Sequence, residues 1–402
     1  MQPGLVTVTC LILLMALQPL GNPLAAYQPS GKELLFEGVP EPESLPRSAD
    51  GLSLEMVREY GDLDEGLVFG NIVDVAVSET GILAVVDGFD CQIWIVDTET
   101  GEGRTIGGCG DGPGEFRQAM TATFRGDTLL VWDMARASIV KLTLDGEEIE
   151  RARLSSFEMG TALFSDLHVG RDGSILAGLI LLPHMLTSQN QQLAIFEEFG
   201  GSVVRKELAS PPLARRTPRQ IARSISVCVA SPDEDREVVL ALNAWGPQAV
   251  FLRRRDLEPI RSVRIPLDWV RTEEHSLRPG YWGPMTPRPR AACGDRFAVA
   301  GYRDQFLGPD GETIAVSSAA MVVFDFREES MTVLGGDDPP EPGSVLFMTP
   351  AAATGNRFFF FTNGFFDYPV VREYRMVRSG MEPETREFIR SLVQSWPKVL
   401  RR

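Results

Sequence analysis

GNIVDVAVSE (70–79), GILAVVDGFD (81–90), CQIWIVDTET (91–100) and GEGRTIGG (101–108) stand in a row, and QAMTATFRG (118–126), DTLLVWDMAR (127–136), ASIVKLTLDG (137–146) and EEIERARLS (147–155) repeat the pattern. Each is a short β-rich run bounded by Gly, Asp, Asn or Glu, the composition of strands joined by tight turns. Asp87 and Asp133 end the second runs and precede the β-branched Ile93 and Ile139 by six residues, a spacing that suits an Asx-type turn at a hairpin. Four such runs recurring with a period of about 45 to 60 residues make one blade of a β-propeller.

Looser copies keep the same order. SILAGLI (174–180), EVVLALNAW (237–245), RFAVAGY (296–302) and RFFFFTN (357–363) read as second runs, and QLAIFEEF, QAVFLRRR, AMVVFDFRE and PVVREYRMV follow as third runs. The sequence therefore predicts an all-β, six-bladed propeller of four-stranded antiparallel blades. No fourth run follows Val377, whereas LSLEMVREY (52–60) precedes the first blade without a partner. It is expected to complete the last blade, so that the ring closes without a long open edge. Beyond Met381 the period changes: Phe388, Leu392 and Trp396, with Ile389 and Val393, predict an amphipathic helix over 382–396, stopped by Pro397. The expected organisation is a signal peptide (1–26), a flexible Pro-rich acidic linker (27–51), the propeller (52–380) and a C-terminal helix with a basic tail (381–402).

The chain has 402 residues, 44% of them hydrophobic and 23% charged, which is ordinary globular composition. Its formal charge of −16 disfavours nucleic acid and anionic lipid, both polyanions. Residues 1–26 carry no charged side chain and contain the apolar run LVTVTCLILLMAL (5–17), followed by small residues up to Ala26. This reads as an export signal, with an uncleaved anchor as the alternative because a basic start is missing. The mature chain is expected in the periplasm or outside the cell, as a monomer, with no other segment apolar enough to span a bilayer. Cysteines in an exported chain invite pairing. Cys91 and Cys109 are equally distant from Thr100, so a hairpin centred there would bring them together, as a bridge or as two buried thiols. Cys228 and Cys293 begin from inner runs of neighbouring blades, and the sequence does not pair them.

The stretch GGCGDGPGEF (107–116), flanked by β runs and followed by VWDMARASIVKLTLDG (131–146), resembles the secreted bacterial six-bladed propeller proteins related to NHL repeats. In that group a Gly-Asp-Gly-Pro-Gly-Glu-Phe stretch links two blades. The likeness is specific over residues 70–154 and general elsewhere, and Leu179 stands where the first two blades have Asp. Because this glycine-rich stretch lies between β runs and does not lead from a strand into a helix, it is read as a blade connection and not a phosphate loop.

Catalytic constellations are sparse. His168, His184 and His275 lack zinc-ligand spacing, no Gly-x-Ser-x-Gly occurs, and the Trp132-Asp133 pair lacks the WD-repeat period. Polar residues on the loops between second and third runs are expected to converge at the channel: Asp87, Asp90, Asp133, Arg136, His184, Asn243, Trp245, Arg303, Asp304, Asn363 and Asp367. The long connection 266–290 carries Trp269, Tyr281 and Trp282 beside Arg271, Arg278, Arg288 and Arg290, residue types that dominate recognition surfaces. PPLARRTPRQIAR (211–223) is a basic insert in an acidic chain. The candidate ligand-binding residues are Asp90, Arg136, His184, Trp245, Trp269, Tyr281, Trp282, Arg303 and Asn363, with no catalytic residue, no metal ligand and no cofactor. The expected role is recognition of a protein, peptide or carbohydrate without covalent chemistry. The competing class is a divalent-metal lactonase or esterase, for which these loops offer oxygen ligands for calcium.

Overall fold

Short runs rich in Val, Ile, Leu and Phe build the inner ladders, buried along almost their whole length in ILAVVD (82–87), TLLVWD (128–133) and RFFFF (357–361). A computed structural model describes residues 39–46, 51–61, 66–88, 90–153, 163–181, 193–196, 203–206, 223–233, 236–243, 248–267, 281–283, 290–307, 314–336, 346, 348–362 and 369–379. The strands are β1 (Gly51–Tyr60); β2 (Ile72–Val77), β3 (Ile82–Asp87), β4 (Gln92–Asp97) and β5 (Gly103–Gly107); then β6 (Ala119–Arg125), β7 (Thr128–Asp133), β8 (Ser138–Thr143) and β9 (Glu148–Arg153). They continue as β10 (Leu163–Val169), β11 (Ile175–Leu181), β12 (Leu193–Phe196) and β13 (Val203–Lys206), followed by β14 (Arg223–Asp233), β15 (Arg236–Asn243), β16 (Gln248–Arg253) and β17 (Pro259–Arg264). The last are β18 (Tyr281–Gly283), β19 (Ala291–Cys293), β20 (Phe297–Leu307), β21 (Ile314–Asp325), β22 (Ser330–Gly336), β23 (Thr349–Thr354), β24 (Arg357–Phe361) and β25 (Val371–Ser379).

All pairings between these strands are antiparallel, and the first two blades are the four-stranded sheets β2-β3-β4-β5 and β6-β7-β8-β9. The closing blade runs β1-β25-β24-β23, with Tyr60 opposite Val371 and Leu52 opposite Arg378. The early strand thus supplies the outer edge of the last sheet.

The expected count of six blades is corrected to five. β10 to β17 form a single eight-stranded sheet, because Ile180 and Leu181 at the end of β11 pair with Ser224 and Arg223 at the start of β14. The cause is visible in the second strands. In the first two blades that strand ends on an Asp whose carboxylate turns back to the same blade: Asp87 accepts from the Gly70 and Asn71 amides (2.6 and 3.0 Å), and Asp133 from those of Arg117 and Gln118 (3.2 and 3.0 Å). β11 has Leu179 at that place and runs on to Leu181. The two halves of the large sheet still face each other, with Leu176, Leu193 and Ile195 packed on Val227, Val239 and Val250. The same Asp geometry adds to the hairpin reading, since the hydrogen bonds that Asp87 and Asp133 accept tie down the start of the first strand, while Arg136 of the following turn lies 3.6 Å from Asp133.

Apolar layers between facing sheets form the core. Val86 and Ile93 of the first blade meet Leu129 and Val131 of the second, and Tyr60, Phe359 and Phe361 of the closing blade meet Leu67, Val85 and Val96. The C-terminal helix and the leader fall outside the described residues. Part of the expected linker is described, and there Glu43 pairs in parallel with Val263 of β17, its amide donating to the Ser262 carbonyl at 3.0 Å.

Candidate functional site: the axial cavity and its surrounding loops

One residue position, repeated around the ring, builds the axis. The innermost strands β2, β6, β10 and β23 each carry a β-bulge, between Ile72 and Asp74, Ala119 and Thr121, Phe164 and Asp166, and Pro350 and Ala352. A bulge re-aims the following side chain, and Asp74, Thr121, Asp166 and Ala352 all line one axial cavity of about 90 Å³. β14 contributes Cys228 and Val229, and β19 with its preceding residue contributes Arg290, Ala291 and Cys293.

Arg290 and Asp74 form an ion pair with each side chain only 4% exposed. Asp74 is fully engaged. Its Oδ1 receives Arg290 and the Val75 amide (2.8 Å), and its Oδ2 receives the Thr121 hydroxyl and the Ala122 amide (3.0 Å). Arg290 also donates to the Val73 carbonyl at 2.9 Å and stacks over Phe361, 5.8 Å from the ring centre. Burial pulls the Arg290 guanidinium down, but the Asp74 and Asp166 charges prevail and hold it above its ordinary value. Asp166 accepts from the Val227 amide at 3.3 Å. His168 Nε2 lies 2.8 Å from the Val227 carbonyl, which can only accept, so the proton sits on Nε2. Its residual exposure opens onto the cavity, and withdrawal from bulk water pushes the ring down to about 4, so it is neutral at pH 7.

Calcium would require six to eight oxygen ligands. Here a guanidinium already occupies the cationic position beside Asp74, and no group of three or more His, Cys, Asp or Glu residues among the described residues is arranged to hold a metal ion. Among the described residues, the wall of this cavity is not a calcium centre.

The cavity wall comes from inner strands, and neither Asp90 nor Arg136 lines it. Asp90 is exposed before β4. Arg136 ends a short 3-10 helix (Met134–Arg136) and grips the glycine-rich connection, donating to the Gly110 carbonyl, the Glu115 carbonyl (3.1 Å) and Asp111 (2.7 Å). Gly114 in this connection has φ +74° and sits against the Gly146 carbonyl, where a Cβ would come within 2.7 Å, so only glycine fits. Cys91 and Cys109 are joined, with Cα atoms 5.0 Å apart. They are not directly opposite, because Gln92 pairs with Gly107 and leaves Gly108 facing Cys91. Cys228 and Cys293, left unpaired by the sequence, are also joined, Cα atoms 5.5 Å apart, tying β14 to β19 in the cavity wall. Tyr281 and Trp282 belong to β18, which pairs with β20, and Arg303 lies in β20 opposite Ala319. His184, Trp245, Trp269 and Asn363 lie outside the described residues. Sequence reading missed Asp74, Thr121, Asp166 and His168, although a polar residue inside an otherwise apolar inner run, in three successive copies, was a usable signal.

These features define an all-β propeller built on four-stranded antiparallel blades. Similar solved structures include a member of the DUF4221 family from Bacteroides vulgatus, with a TM-score of 0.57, 11% identity, and coverage of 83% of this chain and 100% of that one. A Bacteroides fragilis protein described as exported on inference has a TM-score of 0.53, 10% identity, and coverage of 81% and 96%. At such identities the likeness speaks for the fold alone. No family model and no curated protein matches the chain.

Proposed function

We propose that this protein is an exported recognition module that binds a protein, peptide or carbohydrate through loops carried by the propeller, without covalent chemistry. The observation that supports this reading is the axial cavity. At about 90 Å³ it has room for roughly three waters, and its charges already satisfy one another through Arg290 and Asp74. A propeller whose axial cavity is this small and internally paired keeps its loops as the surface for a ligand. Export is supported by the two cystine bridges, a feature of oxidising compartments. No helix among the described residues is long and apolar enough to cross a membrane.

The test is a melting-temperature screen of the mature chain against calcium, other divalent ions, oligosaccharides and peptides, run beside a lactone and ester turnover assay. A ligand of the native state at about 100 times its Kd adds about 2.7 kcal/mol of stability. Stabilisation by a peptide or oligosaccharide, with calcium silent and no turnover, is the expected result. Stabilisation by calcium together with lactone turnover overturns the proposal.

A further inference from the structure

On the face opposite Asp90 and Arg136, the seam that closes the ring opens into a cleft. Three rows of cross-strand neighbours run along the closing blade: Phe361, Val371 and Tyr60; then Phe359, Glu373 and Arg58; then Arg357, Arg375 and Glu55. The first row is buried against the first blade. The third is charged, and there the two blades part around a cleft of about 440 Å³ lined by Val57, Arg58, Thr98, Glu99, Arg357, Glu373 and Arg375.

The arginines in this cleft are not equally satisfied. Arg357 forms a two-pronged pair with Glu373, at 2.6 and 3.0 Å. Arg58 donates to the carbonyls of Thr98, Glu99 and Thr100, at 3.3, 3.3 and 3.2 Å. Carbonyls accept its hydrogen bonds but do not cancel its charge. Arg375 is exposed and makes no ion pair among the described residues, although it stands directly opposite Arg357. Like charges facing each other across a ladder are unfavourable. Glu373 compensates Arg357, so the cleft keeps two cations without an ion pair among the described residues, Arg58 and Arg375, beside the exposed Glu99 and with Glu55 opposite Arg375 on the neighbouring strand.

We propose that this cleft is a binding site for an extended acidic peptide, with Arg375 and Arg58 receiving its carboxylates. Two guanidinium groups without an ion partner among the described residues favour an anion, and a guanidinium fork suits a carboxylate. A peptide fits better than an acidic sugar because, among the described residues, no aromatic ring lines the cleft for a sugar to stack on. In addition Val57, displaced by the bulge between Met56 and Arg58 and 47% exposed, offers an apolar contact to an alternate side chain. The site stands independently of the loop reading above, since it lies at the turns between β4 and β5 and between β23 and β24.

The probe is a fluorescein-labelled octapeptide of alternating Glu and Val, titrated by fluorescence polarisation with the full chain at low salt. Saturable binding is expected, weakened roughly tenfold by Arg375→Glu, about the effect of reversing one charge in contact with the ligand. Arg375→Ala gives a smaller loss in the same direction. Because Arg375 is exposed, both variants should keep the parent melting temperature, and Arg375→Ala carries the test should the reversal impair folding. Arg255→Glu, at a side chain 78% exposed on the outer turn before β17, is the charge-matched control and leaves binding unchanged. The proposal is overturned by absence of peptide binding, by equal loss in the Arg255 and Arg375 variants, or by tighter Arg375-dependent binding of a galacturonate oligomer than of the peptide.

Discussion

His168 ties the chemistry of the axis to solution conditions. Burial holds its ring at about 4 in the folded chain, against an ordinary value of 6.5. Asp74, which favours its protonation, is opposed by Arg254 and Arg290. Between these values the unfolded chain binds the proton that the folded chain refuses, so stability increases with pH through this window and is lost as pH falls from 6.5 toward 4. The slope approaches about 1.4 kcal/mol per pH unit at most. In urea unfolding at about pH 5 and about pH 7, His168→Gln, which keeps a donor for the Val227 carbonyl, should lose less stability on acidification than the parent chain. Equal losses in the two proteins would remove His168 as the cause. Nothing in the spacing of the three histidines pointed to this role, because a single neutral imidazole needs only a carbonyl partner and a dry wall. Those come from β14, some 60 residues away in sequence, as the separation of 59 between His168 and Val227 records.

The glycine-rich connection between the first two blades was legible as a connection from its glycines, yet the forces that shape it were not. Asp111 is held well below the usual carboxylate range by its hydrogen bonds to Arg117 and Arg136. Glu148 is lowered chiefly by its hydrogen bond to Arg151, and receives the Gly114 amide at 2.8 Å. The two arginines on Asp111 differ in burial, 57% exposed for Arg117 and 9% for Arg136. That difference decides their worth. Arg136→Ala should cost about 1–3 kcal/mol, because it removes donors to the part-buried Gly110 and Glu115 carbonyls, the latter keeping Arg151, and a cation from the neighbourhood of the fully buried Asp133. Arg117→Ala should shift the midpoint far less, because exposed pairs contribute little. Urea midpoints of the two variants check this, and equal midpoints would mean that Arg136 does not clasp the connection. The Asp at the end of the second strand shows the same limit of sequence reading. Its recurrence at positions 87 and 133 identified the repeat, but its partners lie 15 to 17 residues upstream, and only the fold shows why Leu179 lets the third and fourth copies merge.

Closure of the ring rests on one strand that is remote in sequence from its partner. The pairing of β1 with β25 was readable because one run lacked a partner and one blade lacked a strand, a count that needs no knowledge of side-chain contacts. What the strand contributes is more specific. Tyr60 is fully buried and its hydroxyl donates to Glu373 at 2.8 Å; burial foremost, and then Glu373, raise the phenol above its ordinary value. Glu373, itself 2% exposed, also holds Arg357. Leu52 packs at the other end of the strand, in the apolar layer shared with Phe358 and Met376. A chain lacking residues 1–60 would expose the backbone of β25 as a free edge, uncover that layer, and leave Glu373 with half its partners. It should be destabilised by several kcal/mol, since burial of one large apolar side chain alone contributes about 1.5–3 kcal/mol, and it should self-associate through the bare edge. A synthetic peptide of residues 51–60, added in trans, should restore the urea midpoint in a concentration-dependent way, as mass action requires. The same peptide with Tyr60→Ala should restore it poorly. Since the pairing joins segments more than 300 residues apart, as the separation of 313 between Tyr60 and Glu373 records, the intact chain should also refold faster when the two ends are covalently linked and the loop-closure entropy falls. A shortened chain with the parent midpoint, monomeric and indifferent to the peptide, would mean that the ring holds without its closing strand.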